Sequence, residues 1–504
     1  MLVPTPTSIT PRAGSFVIDA STAVRGPAPL VALLRRELGA ARLALQATEG
    51  ETVIELGLEP QLPAEVYRLE VGESKVRILG GDRAGVFYAI QTLRQLLPPD
   101  GYRRVAPSDT RWELPALLIE DAPRFSWRGA MLDVGRHFMP LDFLFRWVDL
   151  LAMHKLNVLH LHLTEDQGWR FESRRYPKLQ GVGSWRPQTL DDGTPHGGYY
   201  RQDDLRELVA YAAERSMIVV PEIDMPGHMR AAIAAYPELG NHPEQALAVG
   251  TEWGIEEHVL SLEMTAVRFC HDILDEVLDV FPSQHVHIGG DECPTREWAA
   301  SDRLGQLMRE RGVTEVAEYQ RWFTTRIWDH LADRARTLVG WDEIVDKGPV
   351  PGAVVMGWRS AEHCRRAAAL GQQVILAPQE HTYFNFAQSA DPTEPGARRL
   401  GRIDLAQAYA YEPLADLPDE AVSKVLGTQF QIWTEQIPTP RVLEYQAFPR
   451  ACAFAEKAWS AADSGYADFL ARLADHHLPR LDALGVNYRP LAGPRPWQRT
   501  AIAS

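Results

Sequence analysis

Short apolar runs that alternate with helix-length amphipathic segments constrain the fold of this chain more than any other feature. From about residue 122 onward, eight runs have the length and branched apolar content of buried strands. They are Ala130–Val134, Val158–Leu163, Ile218–Ile223, Val286–Gly289, Leu338–Gly340, Ala353–Met356, Val374–Leu376 and Val425–Phe430. Helical periodicity fills most of the intervals, as in Leu141–Met153 and Val267–Val280. Eight strands that alternate with helices predict an α/β protein built on a parallel (β/α)8 TIM barrel.

A doubly wound sheet is the main alternative, but no GxGxxG or P-loop sequence follows any of the runs. The first 115 residues have a different pattern, with hairpin-like alternation over residues 67–78 and helical periodicity over residues 86–97. A polar stretch over residues 100–109 is typical of a linker. The 504 residues therefore predict a small α+β domain, residues 1–120, followed by the barrel domain, residues 121–504.

Charge and composition exclude several classes of partner. The chain has 52 basic and 67 acidic residues, a net charge of −15, which argues against binding to nucleic acid or anionic membranes. No apolar run approaches the ~18 residues that a membrane span needs. The first residues lack the basic and apolar regions of a secretory signal, so a cytoplasmic location is expected unless a signal was removed. The four scattered cysteines are expected to be reduced core thiols.

Polar and aromatic residues follow the predicted strands, where a barrel presents its catalytic groups. The strongest signal is the pair Asp291-Glu292, which follows a β-branched run and Gly289-Gly290. Two adjacent carboxyls in one pocket repel each other, so one can keep its proton while the other is ionised. Glycine before the pair lets another group approach the backbone closely. The other candidates are Arg136, Glu165, Asp166, His228, Trp341, Trp358, Tyr383, Asn385, Trp433 and Glu435.

Six motifs resemble, in order, the signatures of the family 20 β-N-acetylhexosaminidases. They are residues 160–169 (HLHLTEDQGW), 221–228 (PEIDMPGH), 287–292 (HIGGDE), 340–344 (GWDEI), 356–358 (MGW) and 432–435 (IWTE). Residues 84–93 (AGVFYAIQTL) resemble the end of the small N-terminal domain of that family. The resemblance covers nearly the whole chain. It implies an exo-glycosidase that needs no metal or cofactor and acts on glycans with a terminal β-linked N-acetylglucosamine or N-acetylgalactosamine.

The resemblance also implies a mechanism in which the substrate's own acetamido oxygen attacks the anomeric carbon and forms an oxazolinium intermediate, which water opens with retention. Glu292 would be the general acid and then base, Asp291 would orient the acetamido group, and Tyr383 would donate to its oxygen. The remaining residues would hold the sugar or support the acid. Trp341, Trp358 and Trp433 would wall the acetyl group and the sugar face, and Arg136, Asn385 and Glu435 would bind hydroxyls. Glu165, or Asp166 in its place, would bind a hydroxyl and pair with His228, which would support Glu292.

Two positions depart from the family pattern. Glu165-Asp166 stands where many members have two aspartates, so either carboxylate is a candidate partner for His228. Asn385 stands where some members have an aspartate, and its amide can donate as well as accept hydrogen bonds. The subsites for the leaving group are expected in the loops at residues 180–200 and 388–401.

Three other functions compete with this hypothesis. His160 and His162 lie two residues apart on a strand, as the zinc ligands of a metal-dependent barrel hydrolase would, and loss of activity with a chelator would support that function. Hydrogen bonding within the barrel is the more ordinary role for both. A sugar-binding protein without catalysis is the second alternative, and a glycosidase with its own carboxylate nucleophile is the third.

Overall fold

A six-stranded sheet forms the first domain of the computed structural model, which describes residues 1–39, 45, 49–396, 400–415, 417–461 and 464–499. The strands are β1 (Ser8–Val17), β2 (Ala23–Arg25), β3 (Val53–Leu58), β4 (Tyr67–Val71), β5 (Lys75–Gly80) and β6 (Glu113–Asp121), in the order β1-β6-β4-β5-β3-β2. Helices α1 (Ala28–Gly39) and α2 (Arg83–Leu96) pack against each other and against this sheet. The predicted hairpin is β4 with β5, and its alternating apolar side chains are buried.

The polar stretch at residues 100–109 is not the linker between the domains, so this expectation was wrong. It begins within the short 3-10 helix Pro99–Tyr102 and precedes β6, which pairs antiparallel with both β1 and β4. The stretch is therefore a loop inside the first domain. Polarity marks it as exposed chain, but polarity alone does not tell a loop within a sheet from a connection between domains.

The two domains share a buried polar contact. Nζ of Lys155, in the barrel domain, lies 2.8 Å from Oδ2 of Asp121 and 2.9 Å from the hydroxyl of Tyr67. The Tyr67 hydroxyl donates to Asp121 at 2.6 Å, and Trp459 Nε1 donates to the same carboxylate at 3.0 Å. A buried charge is costly unless it is paired and hydrogen-bonded. This cluster therefore fixes how the first domain sits on the barrel.

Eight parallel strands close into a barrel, which confirms the predicted fold class. They are β7 (Trp127–Asp133), β8 (Val158–His162), β13 (Ile218–Glu222), β14 (His285–His287), β15 (Thr337–Trp341), β16 (Val354–Gly357), β17 (Gln373–Leu376) and β18 (Val425–Ile432). The short strands β9 (Thr164–Glu165), β10 (Gly168–Trp169), β11 (Trp185–Arg186) and β12 (His196–Gly197) lie in the connection after β8. Strand β18 pairs with β7, so the barrel closes between its first and last strands.

Helices follow most of the barrel strands. They are α3 (Leu141–Met153), α4 (Gln202–Glu214), α5 (Arg230–Ala235), α6 (Met264–Val280), α7 (Arg296–Ala300), α8 (Leu304–Arg311), α9 (Glu318–Ala332), α10 (Ala361–Ala369), α11 (Gln379–Thr382), α12 (Leu405–Ala410), α13 (Asp419–Val422), α14 (Pro440–Ala447), α15 (Arg450–Trp459), α16 (Tyr466–Arg472) and α17 (Leu478–Ala483). Single turns of other helix types are Leu179–Gly183, Pro237–Leu239, Leu473–His477 and Pro496–Gln498. Strand β15 is connected to β16 by the 3-10 helix Asp342–Val345 and not by an α-helix.

The cysteines are free thiols, as predicted: Cys270, Cys364 and Cys452 are buried and Cys293 is half-buried. Burial raises the pKa of each of these thiols. Among the described helices, none combines the length and the apolar character that crossing a bilayer requires.

Candidate active site

The acidic pair Asp291-Glu292 lies in a tight loop at the C-terminal rim of the barrel. Strand β14 ends at His287, two residues before the predicted end, because Gly289 and Gly290 adopt positive φ angles of 64° and 91°. Glu292 also has a positive φ, 44°, which is unusual for a residue with a side chain. Both carboxyl groups are therefore carried by a loop and not by the strand.

The close approach expected at the glycines involves Asp224, which follows β13. A Cβ atom on Gly289 would lie 1.7 Å from Oδ1 of Asp224, so only glycine fits there. The same oxygen accepts the N–H of Gly290 at 3.1 Å. Asp224 therefore anchors the loop that carries the catalytic pair. Its place after a strand and four residues before His228 puts it at the rim, but we did not include it among the candidate site residues.

The carboxyl groups of Asp291 and Asp224 disfavour each other's ionisation. Asp291 is 7% exposed, and its Oδ1 has no hydrogen-bond partner among the described residues. Burial, followed by the charge of Asp224, raises the pKa of Asp291 well above its ordinary value, and His228 opposes the rise. Burial likewise raises the pKa of Asp224 to about 7, again against His228. Like charges this close do not both ionise readily, so the pair shares a proton near neutral pH.

The raised pKa of Asp224 predicts a pH-dependent stability. The unfolded chain ionises this carboxyl near its ordinary pKa of 3.8, whereas the folded protein keeps the proton up to about pH 7. The unfolded state binds fewer protons in this window, so stability falls as the pH rises through it. The unfolding temperature of the wild type should therefore fall between about pH 4 and pH 7, and that of Asp224→Asn should fall less. Asp109→Asn, at an exposed site, is the control, and an equal loss in all three proteins would contradict the assignment.

His228 lies between the catalytic pair and two further carboxylates. Its Nδ1 is 3.0 Å from Oε1 of Glu165 and 3.3 Å from Oδ2 of Asp166, and its Nε2 is 3.7 Å from Oε2 of Glu292. Burial disfavours the imidazolium, but Glu165 and Asp166 outweigh it and raise the pKa of His228 well above its ordinary value. The histidine therefore presents a positive charge to the catalytic pair, and Glu165 is its nearer partner.

Arg136 extends this network toward the sugar-binding side of the rim. Its Nη2 lies 2.7 Å from the same Oε1 of Glu165, and its guanidinium group lies 4.9 Å above the ring of Trp433. Burial works against the ionised form of Glu165, but Arg136 and His228 hold its pKa well below the ordinary value. Nη1 of Arg136 is buried without a hydrogen-bond partner among the described residues, so it can bind a substrate hydroxyl.

Asp133, which we did not select from the sequence, fixes the loop that carries Arg136. Its Oδ1 accepts the backbone N–H groups of Gly135 and Arg136 at 2.8 and 3.0 Å. Its Oδ2 accepts both the N–H and the hydroxyl of Thr434 at 3.0 Å. Asp133 ends β7 and Thr434 follows β18, so one carboxylate links the loops of the first and last barrel strands.

Glu222 occupies the barrel interior beneath the site and holds the two histidines of the HLH motif. His162 Nδ1, His160 Nε2, His287 Nδ1 and Trp341 Nε1 lie 2.6, 2.9, 3.0 and 3.0 Å from its carboxylate oxygens. Burial lowers the pKa of His160 to about 4, whereas Glu222 outweighs burial and raises that of His162. His160 and His162 thus pair with a carboxylate inside the barrel, which is the more ordinary of the two roles considered for them. Glu222 was missed because nothing marks it within its apolar run.

Several of these side chains could in principle hold a metal ion. The groups His160-Glu222-His287, Glu165-Asp166-His228 and Asp224-His228-Asp291 each bring three ligand atoms within 4.8 Å of one another. In the first two groups, a carboxylate already lies within 3.3 Å of a histidine nitrogen. Proton sharing between imidazole and carboxylate therefore accounts for these contacts.

Four aromatic side chains form a wall beside Asp291. Tyr383 stacks on Trp358 with ring centroids 6.1 Å apart, and Trp433 lies 6.2 Å from Tyr383 and 5.8 Å from Trp341. Burial raises the pKa of Tyr383 well above its ordinary value, so its hydroxyl remains a donor. Trp358 Nε1 donates to Oε2 of Glu343 at 3.0 Å, which fixes the outer indole. Apolar faces with one phenolic donor suit an acetamido group.

Asn385 and Glu435 complete the set of rim residues. Asn385 is 2% exposed, and its Oδ1 has no hydrogen-bond partner in the described part of the chain. Burial raises the pKa of Glu435, although Arg136 opposes the rise. Each residue follows a barrel strand, Asn385 after β17 and Glu435 after β18, as expected. Their polar atoms are available for the outer hydroxyls of a sugar.

Family models match almost the entire chain. The model of the glycosyl hydrolase family 20 catalytic domain matches residues 125–462, and that of domain 2 of the same family matches residues 1–122. The β-hexosaminidase of Porphyromonas gingivalis is 39% identical over 504 residues, which cover 97% of this chain and 64% of the relative. The β-hexosaminidase of Vibrio furnissii is 37% identical over 418 residues, 81% of this chain and 67% of the relative. The chain thus spans about two thirds of the length of these relatives.

Solved structures agree with this match. The crystal structure of the exo-β-N-acetylglucosaminidase of Vibrio harveyi with N-acetylglucosamine superposes with a TM-score of 0.88 at 33% identity, covering 97% of this chain and 78% of that one. The β-N-acetylhexosaminidase of Streptomyces coelicolor gives a TM-score of 0.83 at 32% identity, with 98% of both chains covered. Sequence and fold therefore agree, and the chain belongs to glycosyl hydrolase family 20.

Proposed function

We propose that this protein is a retaining exo-glycosidase that removes terminal β-linked N-acetylglucosamine or N-acetylgalactosamine from glycans by substrate-assisted catalysis. One observation carries the proposal: the buried carboxyl of Asp291, with a free oxygen, lies beside an aromatic wall and next to the more exposed Glu292. Relatives named as β-hexosaminidases support the substrate class.

Glu292 moves the proton. Its side chain is 33% exposed, so it can reach both the glycosidic oxygen and an incoming water molecule. It first donates a proton to the leaving oxygen and later removes one from the attacking water. His228 lies 3.7 Å away on the protein side and, as a cation, stabilises the carboxylate left after the first step.

Asp291 positions the nucleophile, which is the substrate's own acetamido oxygen. The free Oδ1 accepts the acetamide N–H and turns the carbonyl oxygen toward the anomeric carbon. As that oxygen attacks, positive charge develops on the acetamido group, and the carboxylate becomes more favourable next to it. An interaction that strengthens in the transition state is what accelerates the reaction.

The aromatic wall and the polar rim hold the sugar in the reactive orientation. Tyr383 donates its hydroxyl hydrogen to the acetamido oxygen, and the tryptophans exclude water from the intermediate that forms. Arg136, Asn385 and Glu435 bind the outer hydroxyls, which fixes the ring relative to Glu292. Holding both reacting groups in this way converts the attack into an intramolecular step with a large entropic advantage.

Removal of the acetyl group tests substrate assistance. We expect an aryl β-N-acetylglucosaminide to be hydrolysed at least about a thousandfold faster than the matching aryl β-glucosaminide, because the free amine supplies no carbonyl oxygen. The comparison measures kcat/KM for both substrates, and NMR identifies the first anomer released. Comparable rates would mean that the nucleophile is a protein carboxylate and not the acetamido oxygen. An α-anomer as the first product would overturn retention.

A further inference from the structure

A cavity of about 400 Å³ lies beside Glu292. Its lining comes from the loop after β14, from the first turns of α9 and from the 3-10 helix that follows β15, and it includes Gln320, Arg321, Glu343 and Lys347. None of the four aromatic residues of the wall contributes to it. The volume falls within the range of small-molecule sites.

The position of the cavity relative to Glu292 identifies what it can receive. A general acid lies between the sugar whose bond is broken and the group that leaves. The wall holds the sugar on one side of Glu292, so the cavity takes the leaving group. We expected this subsite in the loops at residues 180–200 and 388–401. The cavity is built from other segments, and residues 397–399 of the second loop lie outside the described residues.

The acidic groups around the cavity carry little net charge. Burial raises the pKa of Glu343 to about 9, so this side chain is neutral at neutral pH. Asp346 receives hydrogen bonds from Nη1 and Nη2 of Arg359 at 3.0 and 2.9 Å, which compensate its charge. Glu343 and Asp346 therefore add little negative charge to the cavity.

The basic groups of the cavity are less well compensated. Arg321 is exposed and donates from Nη1 to the backbone oxygen of Lys347 at 2.6 Å, and no carboxylate lies within 4.0 Å of its guanidinium among the described residues. The ammonium group of Lys347 lies 3.4 Å from the exposed Glu315. Arg321 thus brings to the cavity a cation that has no carboxylate partner among the described residues.

Helix α9 fixes this charge relative to the catalytic loop. Gln320, next to Arg321, donates from its side-chain amide to the backbone oxygen of Gly290. This bond joins α9 to the chain just before Asp291, while the guanidinium of the neighbouring Arg321 is held at the backbone oxygen of Lys347. A planar guanidinium in a defined position recognises a carboxylate with two parallel hydrogen bonds.

We propose that this cavity is the leaving-group subsite and that Arg321 selects leaving groups that bear a carboxylate, such as an acidic sugar. The inference rests on the proposed hydrolysis of β-linked N-acetylhexosamine. It restricts the expected substrates to glycans in which the sugar linked to the terminal N-acetylhexosamine carries a carboxylate. Uronic acids and lactyl ethers of amino sugars share this chemistry.

The test compares substrates that differ only in the charge of the leaving group. We expect wild-type kcat/KM to be about tenfold higher for N-acetylglucosaminyl-glucuronic acid or N-acetylglucosaminyl-N-acetylmuramic acid than for the methyl ester of the same disaccharide. Arg321→Gln should reduce this preference to about twofold or less, and Lys347→Gln should reduce it partly. The two disaccharides distinguish a carboxylate on the ring from one on a lactyl group.

Arg326→Gln is the matched control, because Arg326 lies on the same helix, pairs with Asp329 at 3.3 Å and does not line the cavity. Its preference should equal that of the wild type. Equal rates on acid and ester in the wild type, or an unchanged preference in Arg321→Gln, would overturn the inference. If the protein hydrolysed neither the acid, nor the ester, nor an aryl β-N-acetylglucosaminide, the proposed function itself would be overturned.

Discussion

Glu292→Gln is expected to lower kcat/KM about a thousandfold for β-N-acetylglucosaminides with poor leaving groups, and much less for those with good ones. A sugar or alkyl aglycone leaves only with a proton, whereas a dinitrophenolate leaves without one. Glutamine keeps the size of the side chain but has no proton to donate. The measurement is the slope of log kcat/KM against the pKa of the leaving group, which should be steep in the variant and shallow in the wild type.

Glu51→Gln, at an exposed glutamate of the first domain, is the matched control and should keep the wild-type slope. An equal loss for all leaving groups would mean that Glu292 acts on the sugar and not on the departing oxygen. The proton donor would then have to be another residue of the rim.

Asp291→Asn should lower kcat/KM by about two to three orders of magnitude even for activated leaving groups. The amide cannot stabilise positive charge on the acetamido group, and its N–H group can meet the N–H of the substrate where an acceptor is required. This loss concerns the attack itself and not the departure of the aglycone. It should therefore be nearly independent of the leaving group, in contrast to Glu292→Gln.

The aryl glucosaminide without the acetyl group provides the control for this variant. Asp291 acts through the acetamido group, so the wild type and Asp291→Asn should hydrolyse that slow substrate at similar rates. A further hundredfold loss on it would show that Asp291 acts on the ring or on Glu292. Asp224→Asn removes the neighbouring acid but leaves Asp291 in place, and it should retain the requirement for the acetyl group.

The barrel could be predicted because its strands are covered on both faces. Runs such as Ala353–Met356 and Val374–Leu376 are continuously apolar, and such runs stand out between amphipathic helices. Two features had no such signal. The 3-10 helix in place of the fifth barrel helix depends on how β15 and β16 meet, and the loop at residues 100–109 has the same composition as a linker.

The rim position of the acidic pair and of most other candidate residues could also be predicted, because each follows a strand in a motif. The supporting acids could not. Asp133 and Glu222 end apolar strands, and their partners, Thr434 and the histidines, come from distant parts of the chain. Which histidine meets which carboxylate is decided only when the strands close, so local sequence carries little information about these contacts.

The carboxylate of Asp133 has a consequence for how activity appears during biosynthesis. It orders the backbone of Arg136 and at the same time holds Thr434, some 300 positions later in the chain. The loop that carries Arg136, the cation of the proposed sugar site, is therefore not fixed until the eighth strand joins the barrel. Under the proposed function, we expect no activity from a chain in which that last strand is missing.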